Sequence, residues 1–250
     1  YFEHADGTPF FLLADTLWAG NTARCGLGDN EDGPFFTYLA DRTSKGVTTF
    51  LMQCMRGFGD TATEPAGQRN EGGHPFDEGD LRRLNPAYFR ALDARMDALW
   101  QRGFVVATPI TWWGKMSNCF FDLEWAKRIG AYLMVRYGAY NLIWSLSGEY
   151  QYALRDCGWS AGQISELGEA VQAHNPFRHP VSIHPSGRTD WPAPHNVQSS
   201  RPFHTERWLD HHWLQTGQSI DRMYNIVVRC RENRELTSPK PVFCAESYYE

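Results

Sequence analysis

Two acidic residues close apolar runs in a way that suits chemistry. The run Asn141-Leu142-Ile143-Trp144-Ser145-Leu146-Ser147-Gly148-Glu149-Tyr150 reads as a strand that ends on a lone carboxylate, Glu149. Side chains alternate along a strand, so Leu142, Trp144 and Leu146 share one face and Ile143, Ser145, Ser147 and Glu149 the other. A second run, Pro241-Val242-Phe243-Cys244-Ala245-Glu246, ends the same way, with Val242, Cys244 and Glu246 read as one face. Two carboxylates on separate strand ends suit glycosidic-bond cleavage. One protonates the leaving oxygen while the other attacks the anomeric carbon or activates a water. Taken singly, each Glu also fits a helix cap or a solvated loop. The pair, each above small residues, favours chemistry.

Other residue types suited to sugars fall at predicted strand ends. Asp15, Gln53, Tyr150, His184, Gln215 and Gln218 are candidates for hydrogen bonds to sugar hydroxyls, and they suit barrel-mouth backbone groups equally well. Trp18, Trp112 and Trp113 are candidate platforms for the C–H faces of a sugar, whereas Trp144 falls on the apolar face and reads as core. Ten Trp, eleven Tyr and fifteen Phe bring aromatic content to 14%, more than a core requires.

These residues need a scaffold, and 250 residues suffice for one large core. With 42% hydrophobic and 21% charged residues the composition is that of a globular domain. A net charge of −5 and the absence of a basic run argue against a nucleic-acid partner, and no segment approaches the length of a membrane span. The six cysteines show no CxxC spacing. Cys54 and Cys244 read as buried thiols, while Cys25, Cys119 and Cys157 fall in loops and can pair if the protein is exported. His211-His212 point to opposite faces of a strand, which argues against zinc. The reading requires no metal or cofactor.

Along the chain, Asp6-Gly7 marks a hairpin turn, and Phe10 to Ala14 an apolar strand ending at Asp15-Thr16. Phe35, Tyr38, Leu39 and Arg42 have helical spacing between Pro34 and Ser44, and Val47 to Met55 follows as a strand. Residues 56–84 are rich in Gly, Asp and Glu, and are expected to form a site wall or lid. Asn85-Pro86 opens a helix carrying Tyr88, Leu92, Met96 and Leu99 inward, up to Gly103. Phe104 to Trp112 is the third strand. Asp122 caps a helix to Gly138, and the Glu149 strand follows as the fourth. Ser160 with Gln163 reads as a capping box opening a helix that ends at Asn175-Pro176. His179 to His184 is a fifth strand, the Pro- and Ser-rich stretch 187–207 a degenerate crossover, and Trp208 to Gln215 a sixth strand. Ile220, Tyr224, Val227 and Val228 mark a sixth helix, and Lys240 to Glu246 the seventh strand. Regular alternation without a glycine-rich first turn predicts a (β/α)8 TIM barrel in a single domain over residues 1–250. Seven strands are visible, and the eighth is expected beyond Glu250. The sequence opens at Tyr1-Phe2 as if inside an element, so truncation at one or both ends is expected. No G-x-S-x-G elbow, P-loop or zincin helix is present.

Several stretches in order resemble the apiosidase-like glycoside hydrolases. They are Asp6-Gly7-Thr8-Pro9-Phe10-Phe11, Leu13-Ala14-Asp15-Thr16-Leu17-Trp18, Tyr38-Leu39-Ala40-Asp41-Arg42 with Lys45-Gly46, and Asn85-Pro86-Ala87-Tyr88-Phe89 with Leu92-Asp93. Asn141-Leu142-Ile143-Trp144, Ile183-His184-Pro185, Leu214-Gln215-Thr216-Gly217, and Lys240 through Glu246 with Tyr249-Glu250 continue the set. The resemblance implies a (β/α)8 barrel with its acid/base, Glu149, after strand four and its nucleophile, Glu246, after strand seven. It implies a mostly retaining mechanism on a carbohydrate substrate, with relatives that remove apiose from the pectin polymer rhamnogalacturonan II. This chain departs from the family at Ser147-Gly148-Glu149, where Gly-Gly-Asp is frequent, and at Gln218, where His is expected. The competing readings are a non-catalytic carbohydrate-binding barrel and an inverting glycosidase. A secreted or periplasmic location is favoured, and the oligomeric state is open.

Overall fold

A computed structural model describes residues 1–55, 69–77, 80–112, 119 and 122–247 of the protein. A short antiparallel hairpin comes first, β1 (Phe2–Glu3) against β2 (Pro9–Phe10), with Phe2 opposite Phe10. Its turn is closed by Thr8 N–H donating to Asp6 Oδ1 at 2.9 Å and by Gly7 at φ +83°, as Asp6-Gly7 predicts. Five parallel strands then lie in sequence order: β3 (Ala14–Thr16), β4 (Thr49–Leu51), β5 (Val105–Trp112), β6 (Leu142–Gly148) and β7 (Val181–Ser182). A parallel pair follows, β8 (His212–Gln215) and β9 (Val242–Glu246). The two sheets are joined where Asp210 N–H donates to Val181 O at 2.8 Å and the Ser182 hydroxyl to His211 O at 2.6 Å. On the far side β9 approaches β3 to within 8 Å between Cα atoms, so the strands curl into a barrel wall.

Helices fill the crossovers: α1 (Pro34–Ser44), α2 (Pro86–Gln101), α3 (Leu123–Tyr137), α4 (Gln151–Asp156) with α5 (Ala161–Ala173), and α6 (Tyr224–Arg234). Between β7 and β8 the described helical structure is a single 3-10 turn, Arg201–Phe203, which is the degenerate crossover read from the Pro- and Ser-rich composition. Several strands are shorter than their apolar runs. Val181–Ser182 stands for the expected His179 to His184, and Trp208 and Leu209 lie in the outer core ahead of β8. An apolar run reports burial, and here burial extends past the last ladder bond.

The caps formed as the sequence predicts. Asn85 accepts from Ala87 N–H and sends its amide to Gly72 O and His74 O, Asp122 accepts from Trp125 N–H at 2.7 Å, and Ser160 and Gln163 cap each other. Each such cap stabilises its helix by about 1 kcal/mol. Helix α6 differs from expectation. Ile220 falls in a 3-10 turn, and Ile220, Tyr224 and Val227 are exposed. The helix is pinned instead by its buried Asn233, which accepts from the Ser199 hydroxyl and donates to Arg229 O.

Two cores separate along the strand alternation. Leu142, Trp144 and Leu146 point outward with Val106 and Ile110 into the layer between sheet and helices. Leu51, Ala107, Ile143, Trp213, Phe243 and Ala245 fill the barrel interior, with Phe2 packed against them from the hairpin. Burying each of these large side chains contributes about 1.5–3 kcal/mol. The loops after β3 and β4 are locked to each other by polar contacts. The fully buried Arg95 donates to Gly20 O, Cys25 O and both carboxylate oxygens of Glu71, while Asn21 bridges Cys54 O and Asn70. Removing one partner from such a set leaves a buried charge or donor unpaired, which is the costly case. This lock holds the chain immediately after Trp18.

Candidate active site

The end of β6 is built from small residues. Ser145 and Ser147 turn inward above Ile143, with Ser145 Oγ donating to Ser147 O and Ser147 Oγ to Gly148 O. Gly148 is required by its neighbour: a Cβ there would lie 2.0 Å from Cε3 of Trp112. Glu149 then adopts φ +49°, the left-handed region that β-carbon sterics disfavour, before α4 begins. Its side chain does not cap α4, whose first turn has no side-chain cap bond. Its carboxyl instead sits half-buried among Trp112, His184, Gln215 and Glu246. Burial raises the Glu149 pKa above the ordinary carboxyl value; the electrostatic interaction with His184 opposes this, the Glu246 charge adds to it, and hydrogen bonds with Gln215 and Trp112 oppose it.

Glu246 reaches the same site by a route that simple alternation misses. Phe243 and Ala245 belong to the inner core, so strict alternation would send Glu246 outward with Val242 and Cys244. The β8–β9 register slips: Leu214 pairs with Cys244, but Gln215 pairs with Glu246. That bulge adds one residue to β9 and turns Glu246 inward beside Gln215. The expectation that Val242, Cys244 and Glu246 share the inner face is therefore corrected.

Glu246 is 6% exposed, with both carboxylate oxygens facing polar side chains. Gln218 Nε2 donates to Oε1 at 2.5 Å, and His184 Nε2 lies 3.4 Å from Oε2. His184 Nδ1 is 2.6 Å from Pro185 O, and because a carbonyl only accepts, Nδ1 carries a proton. The imidazole is fully buried in an aromatic frame, with ring centroids 5.2 Å from Trp112, 5.4 Å from Trp213 and 6.2 Å from Trp18. Trp18 and Trp112 meet edge to face at 5.1 Å. Gln53 Oε1, Gln215 Oε1 and His184 Nε2 are buried and have no hydrogen-bond partner among the described residues. Buried acceptors of this kind fit a polyhydroxylated ligand.

The structure thus gathers Glu149, Glu246, His184, Gln215, Gln218, Trp112 and Trp18, and places the buried Gln53 just beyond the end of β4. Asp15 is not among them. It points outward from β3, where its carboxylate pairs with the Arg42 guanidinium of α1 and lies beside Tyr38, whose hydroxyl pKa burial raises to about 12. Tyr150 is also corrected, since it is fully buried in the outer core against Phe203, with its hydroxyl 3.4 Å from His195 Nδ1. Trp113 and most of residues 56–84, the expected wall or lid, lie outside the described residues, while 69–77 and 80–84 form turns and isolated bridges. Trp213 was not anticipated as part of the site. It forms the floor beneath His184 and donates through Nε1 to His211 Nε2 at 2.5 Å. The inward series His211, Trp213, Gln215 was its available signal. Cys119 and Cys157 form a disulfide that ties the loop after β5 to the end of α4, whereas Cys25 is free.

Fold and site together define an α/β barrel with paired carboxylates at the carboxyl ends of its fourth and seventh strands. The chain belongs to the apiosidase-like family, whose catalytic-domain profile matches residues 1–250. Solved structures share the fold. A glycoside hydrolase family 5 protein from Bacteroides vulgatus is 21% identical, with a TM-score of 0.73 over 100% of this chain and 52% of that one. A structure described as a glycoside hydrolase is 20% identical, with a TM-score of 0.72 over 100% and 55%. A family 5 mannosidase from Rhizomucor miehei, solved with mannosyl-fructose, is 11% identical, with a TM-score of 0.68 over 96% and 68%. The chain spans about half the length of the first two. No curated protein matches it.

Proposed function

We propose that this chain is a glycosidase that cleaves O-glycosidic bonds of a polysaccharide or its side chains, with Glu149 as general acid/base and Glu246 as nucleophile. The observation that carries this reading is the pairing of two unlike carboxyls. Glu149 is pushed toward its protonated form by burial, while Glu246 accepts a hydrogen bond from the Gln218 amide on one oxygen, and its other oxygen lies 3.4 Å from His184 Nε2. Two carboxyls whose environments differ in this way divide into acid and nucleophile.

In the first step a Glu246 oxygen bonds to the anomeric carbon as the glycosidic C–O bond breaks. The Glu149 proton goes to the leaving oxygen. Glu149, now ionised, then takes a proton from water, whose oxygen attacks the anomeric carbon and releases Glu246. Trp18 and Trp112 offer aromatic surface to the sugar, and Gln53 and Gln215 offer acceptors for its hydroxyls. The family match and the barrel neighbours named as glycoside hydrolases support the reaction class. The Cys119–Cys157 disulfide supports a secreted or periplasmic location, where such bonds persist.

The test is hydrolysis of aryl glycosides and plant polysaccharides by the protein and by Glu149→Ala and Glu246→Ala. Glu149→Ala should lose about 10²–10⁴-fold on poor leaving groups and less on activated aryl glycosides, with rescue by azide. Glu246→Ala should be inactive on both. Turnover retained by both variants on a substrate the parent protein hydrolyses would overturn the assignment of these two carboxyls, whereas binding of a glycan with no hydrolysis by the parent would make a binding barrel the better account.

A further inference from the structure

Gln218 lies outside the barrel strands and is exposed as a residue, yet its amide reaches the most buried carboxylate of the site. The turn that allows this is specific. Gly217 sits at φ +93°, and a Cβ there would meet the Arg222 side chain at 2.6 Å. The chain therefore folds back over the end of β8, with Thr216 N–H bonded to Glu246 O at 3.2 Å, and Gln218 is delivered above Glu246.

The two Glu246 oxygens are not equivalent. Oε1 accepts from the Gln218 amide at 2.5 Å, a donor at every pH. Oε2 faces His184 Nε2 at 3.4 Å, too long for a hydrogen bond. Because His184 Nδ1 already donates to Pro185 O, Nε2 donates only when the ring is a cation.

We infer that Gln218 is a positioning residue for Glu246, capping Oε1 so that Oε2, on the His184 side, is the oxygen that meets the sugar. This rests on Glu246 acting as nucleophile. Bond formation through Oε2 leaves Oε1 as the carbonyl oxygen of the glycosyl ester, still accepting from Gln218. The leaving oxygen departs with the Glu149 proton, so charge and protons balance.

Among the described residues, Glu149, His184 and the Cys244 thiol are titratable groups that bear on Glu246. Gln218 is uncharged, so its contribution is separable from theirs. The test is a pH titration of the Glu246 carboxyl by 13C NMR, assigned by loss of its resonance in Glu246→Gln, which needs no substrate. Gln218→Ala should raise the Glu246 pKa by about one pH unit, because a hydrogen bond to the ionised form is lost. Gln218→Glu should raise it further by placing a second carboxylate at the same distance, and Gln218→His should return it toward the parent value. An unchanged titration in Gln218→Ala overturns the inference whatever the enzyme hydrolyses. If the parent protein cleaves a glycoside, Gln218→Ala should lower kcat with little change in KM and move the acidic limb of the pH profile upward. A loss confined to KM would mark Gln218 as a sugar-binding residue instead.

Discussion

Gly148 links the fold to the site, and its substitution has a computable consequence. In Gly148→Ala the new Cβ would lie 2.0, 2.1 and 2.4 Å from Cε3, Cδ2 and Cζ3 of Trp112. These are atoms of a rigid ring bounded by Trp18 and His184, so the indole must tilt as a unit. Overpacking of this kind costs about 1–3 kcal/mol. For a domain of this size that lowers Tm by about 2–12 °C. Without the clash, alanine in a strand would stabilise by about 0.5–1 kcal/mol. The assay is a double-mutant cycle by thermal denaturation. In a Trp112→Ala background Gly148→Ala should cost nothing or stabilise slightly, giving a coupling of about 1–3 kcal/mol between the sites. Activity should fall in Gly148→Ala, because Trp112 contacts His184 and hydrogen-bonds with Glu149. An equal cost in both backgrounds, or no cost in either, would refute the claim that Gly148 exists to seat the indole.

Two further outcomes follow from the site and its supports. The Glu149 pKa is raised in the folded protein, so its contribution to stability is full below the ordinary carboxyl value of about 4.3 and is lost as pH rises through the folded value. Glu149→Gln should therefore gain Tm relative to the parent with rising pH across that window and level off above it; a pH-independent difference would contradict this. Opening the Cys119–Cys157 bridge by Cys119→Ser frees a loop of sequence separation 38, worth up to about 4 kcal/mol by loop entropy. Tm should fall by up to about 8–16 °C, with reduced parent protein matching the variant; a change under about 2 °C would contradict a structural role for the bridge.

Much of this architecture was legible in the sequence, for local reasons. Helix caps at Asn85, Asp122 and Ser160 are set by residues within one turn, and they formed as read. The Ile143, Ser145, Ser147 face is polar and small enough to declare its side of the sheet. Three site features depend on information no single stretch carries. The inward turn of Glu246 comes from register slippage against Gln215 on another strand. Asp15 follows an unbroken apolar run, where alternation gives no phase, and its partner Arg42 lies a helix away. Tyr150 sits one residue past Glu149, where the left-handed turn and the start of α4 redirect the chain into the outer core. Trp213 was missed for a different reason: a large aromatic in a strand reads as core, and nothing in its immediate neighbours marks it as the floor of a site.

The central claim is that Glu246 attacks the anomeric carbon. It is tested most directly by treating the protein with an activated 2-deoxy-2-fluoro derivative of the sugar it releases and measuring intact mass and peptide masses. The account predicts a gain of one fluoroglycosyl unit on the peptide containing Glu246, and no gain in Glu246→Ala. An adduct on Glu149, or one that persists in Glu246→Ala, would contradict it.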